Sequence, residues 1–338
     1  MKTASAIQDA VKNLFFGNLI FRFVENNRRA LGAAVIFCVV ALVVYTANPT
    51  VWSKVETIRS VVVTFPLVVF LVIPLTFMVT GGDIDLSFPA VMGMTAWVFA
   101  LATKAGWNPL IGFVLAIVTG LVLGLMVGTL VVYGGLSPLI TTIGANFFLR
   151  GLINLGAVGY SIPLPVAVRE TLFYNLYSGT KFAGFPIQSI WAFVFVIVGW
   201  FLYNRHSFGV HVHCIGDNPV SSTEMGINVQ RTRVAVYIFV GFGAALAGVL
   251  SVVISMVWWP TTGDGFLLIA LASIFVGGTP AWAGVGTVVG AAFGAAIVRL
   301  LEPGIIAAGL SGFYTQLVYG LTIILSLLGH RFNGERHR

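Results

Sequence analysis

Apolar residues in this chain come in long runs, and ten of the runs approach or reach the length of a membrane crossing. They cover about residues 30–47, 60–80, 86–103, 110–132, 138–157, 190–203, 234–254, 266–279, 284–301 and 313–329. A bilayer core about 30 Å thick takes roughly 20 apolar helical residues. Backbone polar groups in lipid must be satisfied within the segment, so the runs predict helices. The sixth and eighth are the shortest. The first follows 29 residues without a clean A-x-A site, so it reads as a span and not as a cleaved signal peptide. The expected class is an all-α polytopic membrane protein of about ten transmembrane helices. A tail, 1–29, precedes a membrane domain, 30–329, and a short basic tail, 330–338, follows it.

The pattern breaks once at length, at residues 204–233, NRHSFGVHVHCIGDNPVSSTEMGINVQRTR. The chain is 58% hydrophobic and 9% charged, against roughly 45–50% and 25% in soluble domains. This island nevertheless holds Arg205, Asp217, Glu224, Arg231, Arg233, His206, His211 and His213. A polar segment kept between spans is presented to water, and to a partner there.

Charge says which water. With ten spans both termini and the island lie on one side. That side has Lys2, Lys12, Arg22, Arg28, Arg29, Arg205, Arg231, Arg233, Arg331, Arg336 and Arg338, eleven in all, against Lys54, Arg59, Lys104, Arg169 and Lys181 opposite. The positive-inside rule makes the termini and island cytoplasmic. Topology thereby accounts for the net charge of +7, and no nucleic-acid partner is needed. Segment 9–29 reads either as an amphipathic helix on the inner leaflet, through Phe15, Phe16, Leu19, Ile20 and Phe23, or as a loose tail.

Two spans repeat glycine every fourth residue: Gly120, Gly124 and Gly128, then Gly286, Gly290 and Gly294. Such stripes let another backbone approach, and helix packing is their first expected role. If spans 2–5 and 7–10 are inverted repeats, the two stripes correspond. Pro66, Pro74, Gly81–Gly82 and Phe88–Pro89 interrupt the second and third spans, which fits backbone that lines a cavity or is buried in protein.

Candidate chemistry is sparse. Asp83 and Asp85 sit in GGDIDLS; Asp85 and Ser87 are placed to cap the third span, with substrate contact as the competing role. Arg150 lies inside the fifth span near Asn146 and Phe147. A charge at that depth costs roughly 2.5–3.5 kcal/mol on insertion scales, so its guanidinium needs carbonyls, a carboxylate or a watery cavity. Arg299 and Glu302 suit a local ion pair. Trp258 and Trp259 are expected at the outer boundary as part of an aromatic belt, or stacked on a ligand at a pore mouth.

The three island histidines read as polar surface, and no spacing suggests a metal site. Cys38 and Cys214 make no disulfide framework. No G-x-S-x-G, H-E-x-x-H or Gly-Lys dipeptide occurs, so no catalytic residue is assigned and a Walker A loop is excluded.

Four segments then meet a family. TGGDIDLSFPAV at 80–91, SPLITTIGANFFLRGL at 137–152, SFGVHVHCIGDNPVSSTEMGIN at 207–228 and GDGFLLIALASIFVGGTPAWAGVGTVVGA at 263–291 occur in order. Over about residues 60–329 the chain resembles the permease subunits of bacterial ABC importers for ribose and related monosaccharides. It departs in the added Asp83, in Leu267–Leu268–Ile269 where acidic residues are usual, and in Ser221–Ser222 for a small pair.

The resemblance implies a type II importer-like fold in the bacterial inner membrane and a second permease copy, identical or not. It also implies a cytoplasmic ATPase subunit that binds ATP and magnesium, and a periplasmic solute-binding protein; this chain would bind no cofactor itself. The island would form the coupling surface through Gly216, Asn218, Pro219, Glu224, Met225, Gly226 and Ile227, so changes at Glu224 or Gly226 should weaken docking. Asp83, Asp85, Ser87, Asn146, Phe147, Arg150, Trp258 and Trp259 are the candidates for the solute path. The expected cargo is a small neutral polyhydroxylated solute, a monosaccharide or polyol, with nucleoside or autoinducer-type solutes as alternatives within the family. The rival from another class is an ion-coupled secondary transporter, which needs a buried titratable or cation site.

Overall fold

The computed structural model describes residues 27–179 and 184–332. Its helices are α1 (Arg28–Ala47), α2 (Pro49–Trp52), α3 (Val55–Thr80), α4 (Phe88–Lys104), α5 (Pro109–Val132), α6 (Pro138–Ala157), α7 (Leu172–Tyr177), α8 (Ile187–Asn204), α9 (Ser207–Asp217), α10 (Pro219–Glu224), α11 (Val229–Ser255), α12 (Phe266–Val276), α13 (Val288–Ala307) and α14 (Tyr314–Phe332). A helix occupies each predicted run. Seven (α1, α3, α5, α6, α8, α11 and α13) are long and apolar enough to cross a membrane. The sixth run extends to the 18-residue α8. The eighth is shorter than expected: α12 has 11 residues, about 17 Å of helix, roughly half a bilayer core. The amphipathic reading of 9–29 lies outside the described residues except at its last three positions.

Helices α3 and α11 form the centre. From Pro66 to Thr80 every residue of α3 is buried. Pro74 lacks the N–H that would bond the carbonyl of Phe70. Gly243 of α11 comes up against that freed carbonyl, where a Cβ would overlap it. Close contact takes the place of the missing hydrogen bond.

Six further helices are arranged in two matching sets around this pair. Helix α4 packs on α5 and α6, and α12 packs on α13 and α14; α5 lies along α11, and α13 along α3. Direction is inverted between the sets. Asp83, just beyond the end of α3, bonds Arg233 near the start of α11, so α3 runs toward the island and α11 away from it. Along α5, Gly120, Gly124 and Gly128 meet Gly241, Tyr237–Ile238 and Tyr237, so α5 also runs toward the island; α13, starting beside Thr80, runs away.

Both glycine stripes serve packing, but on non-equivalent partners. The α5 stripe faces α11, whereas Gly290 and Gly294 of α13 face Gly277 and Ser273 of α12.

Helices α4 and α12 begin inside the bundle. Gly248 of the 27-residue α11 lies against Met92 and Ala96 of α4, which puts the start of α4 about 20 Å from either end of α11. The loop before α12 descends to the same place: Gly263 abuts the Pro89 carbonyl. On the way, β2 (Val257–Trp258) pairs antiparallel with β1 (Ile162–Pro163), with Ile162 opposite Trp258. Past β1, residues 164–179 add a 3-10 turn at Val166–Glu170 and α7, whose Phe173 lies against Phe113 near the start of α5, at the end away from the island.

Candidate functional site

The island is largely helical. Its first half, α9, buries Gly209, Val212 and Ile215 against the bundle, and Phe208 stacks on Phe77 with ring centroids 5.6 Å apart. Three segments converge at its end. The Gly284 N–H donates to the Thr80 carbonyl at 2.8 Å, and the Thr80 hydroxyl bonds the Tyr203 hydroxyl at 2.7 Å. Gly216 packs so tightly on the same Thr80 carbonyl that a Cβ would overlap it. Gly216 thus faces the bundle, not water.

Two of the histidines also have local tasks. His206 Nδ1 accepts from the Phe208 N–H at 3.1 Å and caps α9. His213 Nδ1 lies 3.0 Å from the Gly284 carbonyl. His206 is exposed, as the polar-surface reading expects, whereas His213 is half-buried and bonded into the bundle.

The second half, α10, projects. Asn218 starts it, its Oδ1 accepting from the N–H groups of Val220 (2.9 Å) and Ser221 (3.1 Å), with Pro219 in the first turn where its missing N–H costs nothing. Gly226 turns the chain back at φ +83°, and Ile227 is half-buried. Asp217, Asn218, Pro219, Glu224 and Met225 are exposed. Val220 and Met225 stand out, 68% and 65% exposed on an otherwise polar knob.

A second cluster lies where the broken helices meet. Arg150 of α6 donates through Nη1 to the carbonyls of Pro260 (2.8 Å) and Thr262 (3.0 Å) and through Nη2 to that of Pro89 (3.3 Å). Its Nη2 also lies 2.6 Å from Asp264 Oδ1. One guanidinium therefore ties the first turn of α4 to the loop entering α12. Its five donors in a planar fork suit it to several acceptors at once. One turn earlier on α6, Asn146 Oδ1 is buried without a hydrogen-bond partner, and Phe147 is 71% exposed on the outer face.

The aromatic-belt expectation is corrected at Trp258. This side chain is fully buried, stacks on Trp97 at 5.8 Å and donates its Nε1–H to the Gly93 carbonyl at 3.1 Å. The chain after α11 turns inward through Met256 at φ +57°, carrying Trp258 with it. Trp259 remains exposed.

The aspartates part ways. Asp83 takes Arg233 two ways, Nε to Oδ2 at 2.9 Å and Nη2 to Oδ1 at 2.7 Å. Asp85 is buried, and its Oδ1 accepts from the N–H (2.7 Å) and hydroxyl (2.6 Å) of Ser87, the residue before α4. Asp85 thus fixes the start of α4 by a local turn.

Residues that sequence reasoning did not nominate are Asp264, Arg233 as a partner of Asp83, and Val220. A signal existed for Asp264: an arginine inside a span needs a carboxylate, and few acids lie in the short loops near it. No local signal joins positions 83 and 233.

Comparison with known proteins agrees with this architecture. Residues 57–327 match the family model for the branched-chain amino acid transport system permease component. The chain is 32% identical to the inner membrane ABC transporter permease protein YjfF of Escherichia coli over 74% of its length and 76% of that protein. It is 28% identical to the ribose import permease protein RbsC of Bacillus subtilis, covering 75% and 78% of the two chains. With the autoinducer 2 import system permease protein LsrD of Salmonella typhimurium it shares 27% identity over 79% and 80%. No solved structure matches. Inverted sets of membrane helices, two broken helices meeting inside them, and the match over residues 57–327 together make this chain a member of the branched-chain amino acid transport system permease family.

Proposed function

We propose that this chain is the membrane subunit of an ATP-driven importer for a small neutral polyhydroxylated solute, a monosaccharide or polyol. The observation that supports it most is the α10 knob. It presents two exposed apolar side chains, Val220 and Met225, within a polar rim, and its base is packed onto the ends of α3 and the turn before α13. An apolar centre with a polar rim is the anatomy of a protein contact. In this reading the knob faces the cytoplasm and docks an ATPase subunit that binds ATP and magnesium. A periplasmic binding protein supplies solute at the opposite end.

The solute path would run along α6 and be completed by a second permease copy. Among the seven long helices α6 is the least apolar, with mean hydropathy 1.2 against 2.7 for α5. Its outward face mixes Phe147 with Gly144, Gly151 and Asn154. A hydroxylated solute needs such scattered polar partners, since each hydroxyl stripped of water without replacement costs about 1–3 kcal/mol. The mainly apolar groove of about 800 Å³ lined by Phe113, Phe173, Phe195 and Phe242 offers few and suits lipid tails instead.

The ion-coupled alternative has little left to use. Asp83 is engaged with Arg233, and Arg150 with backbone carbonyls. The deciding experiment identifies the ATPase and binding protein that co-purify with the chain, screens the binding protein's ligands by thermal shift, and measures uptake by the reconstituted assembly. ATP-dependent uptake of a sugar or polyol is expected; uptake by the chain alone under an ion gradient would overturn the proposal.

A further inference from the structure

Asp83 and Arg233 lie 150 positions apart in sequence and grip each other through two hydrogen bonds, with the Asp83 side chain 7% exposed and that of Arg233 28% exposed. A two-point carboxylate–guanidinium fork fixes orientation as well as distance. What it joins gives it a role. Arg233 closes the island and stands near the start of α11. Asp83 opens a helix-free stretch, 83–87, that leads straight to the start of α4.

That stretch has little slack. Five residues reach at most about 18 Å, and the lower part is knotted by Asp85 onto the N–H and hydroxyl of Ser87. Beyond the knot, the Pro89 carbonyl takes Arg150, which holds the Pro260 and Thr262 carbonyls of the loop entering α12. A continuous series of bonded groups therefore runs from the docking loop to the broken ends of both helices. The other island tie, through Thr80, Gly216 and Gly284, ends on α3 and the turn before α13, and reaches 83–87 only by way of the end of α3, where the Asp83 N–H donates to the Met78 carbonyl.

We infer that the Asp83–Arg233 pair is a positioning tie through which movement of the docking loop reaches the broken ends of α4 and α12. This rests on the ATPase-coupled reading above. A contiguous series of contacts is not itself evidence of coupling, so the experiment must read both ends at once.

The test uses the whole assembly in lipid nanodiscs, the chain with its co-purifying ATPase subunit, and follows hydrogen–deuterium exchange with and without ATP and vanadate. In the wild type, trapping should alter exchange at 207–226 and at 83–92 together. In Asp83→Asn and Arg233→Ala the change at 207–226 should persist while that at 83–92 shrinks at least about five-fold, the lower end of typical site-to-site coupling. The exchanged pair, Asp83→Arg with Arg233→Asp, should recover it. Thermal melting checks each variant's fold, and Asp83→Asn, nearly isosteric, serves if Arg233→Ala fails to insert. An undiminished response at 83–92 in the single variants overturns the tie. So does loss of the island response in them, or no recovery in a stably folded exchanged pair. If the wild-type island itself does not respond, the ATPase reading fails instead.

Discussion

Arg150 and Arg233 are both buried for most of their length, and they are held by opposite means. Arg150 is satisfied mainly by three backbone carbonyls from two segments, and its one carboxylate partner, Asp264, is 55% exposed. Arg233 is satisfied by one carboxylate that is itself buried. A guanidinium on carbonyls fixes the shape of a backbone crossing, and no second side chain can release it. A guanidinium on a buried carboxylate joins two separate segments through side chains alone and is undone by changing either. The first arrangement belongs to a scaffold, the second to a joint.

Substitutions can break this contrast. The largest effect is expected for Arg150→Ala, which leaves three carbonyls at the helix break without their donor and should cost several kcal/mol, at about 1–3 kcal/mol for each buried acceptor left unsatisfied. Thermal melting in nanodiscs would show it. Arg150→Lys should recover little, because a single ammonium cannot span the Pro89, Pro260 and Thr262 carbonyls.

Next comes Asp83→Asn, at about 2 kcal/mol, since the partly exposed Arg233 can recruit water once its carboxylate is gone. Asp264→Asn should cost at most about 1 kcal/mol, as for other exposed ion pairs. That last value, set against Arg150→Ala, is the sharpest discriminator. If Asp264→Asn proved as damaging as Arg150→Ala, Arg150 would depend on its carboxylate after all, and the distinction would collapse.

Much of the fold could be read in the sequence, for a physical reason. Apolar runs of bilayer length have few alternatives to helices, and a helix stands at each of the ten. Inversion of the two sets had a weaker trace, one matched pair of glycine stripes, and those stripes turn out to pack on non-equivalent helices.

Other features stayed hidden because hydropathy does not separate lipid-facing from protein-buried residues. The Gly81–Gly82 and Phe88–Pro89 break was a trace of the inward turn at 81–87, but nothing signalled that 256–265 folds back into the bundle or that Trp258 follows it inward. The α12 run was overestimated for the same reason: Gly277, Gly278 and Thr279 carry no charge and are as buried as the helix they terminate. Asp83 and Arg233 were each visible as charges near spans. Their pairing was not, because it depends on α3 and α11 lying side by side in opposite directions.

The smallest expected effect on stability comes from two exposed side chains of the α10 knob. Val220→Asp combined with Met225→Asp changes surface side chains without partners in the bundle and should move stability by less than about 0.5 kcal/mol. The same variant tests the central claim, that the α10 knob docks the ATPase. Purified in parallel with the wild type, it should insert and melt normally yet retain none of the co-purifying ATPase subunit and none of its ATP hydrolysis. Retention of both at wild-type levels would contradict the account.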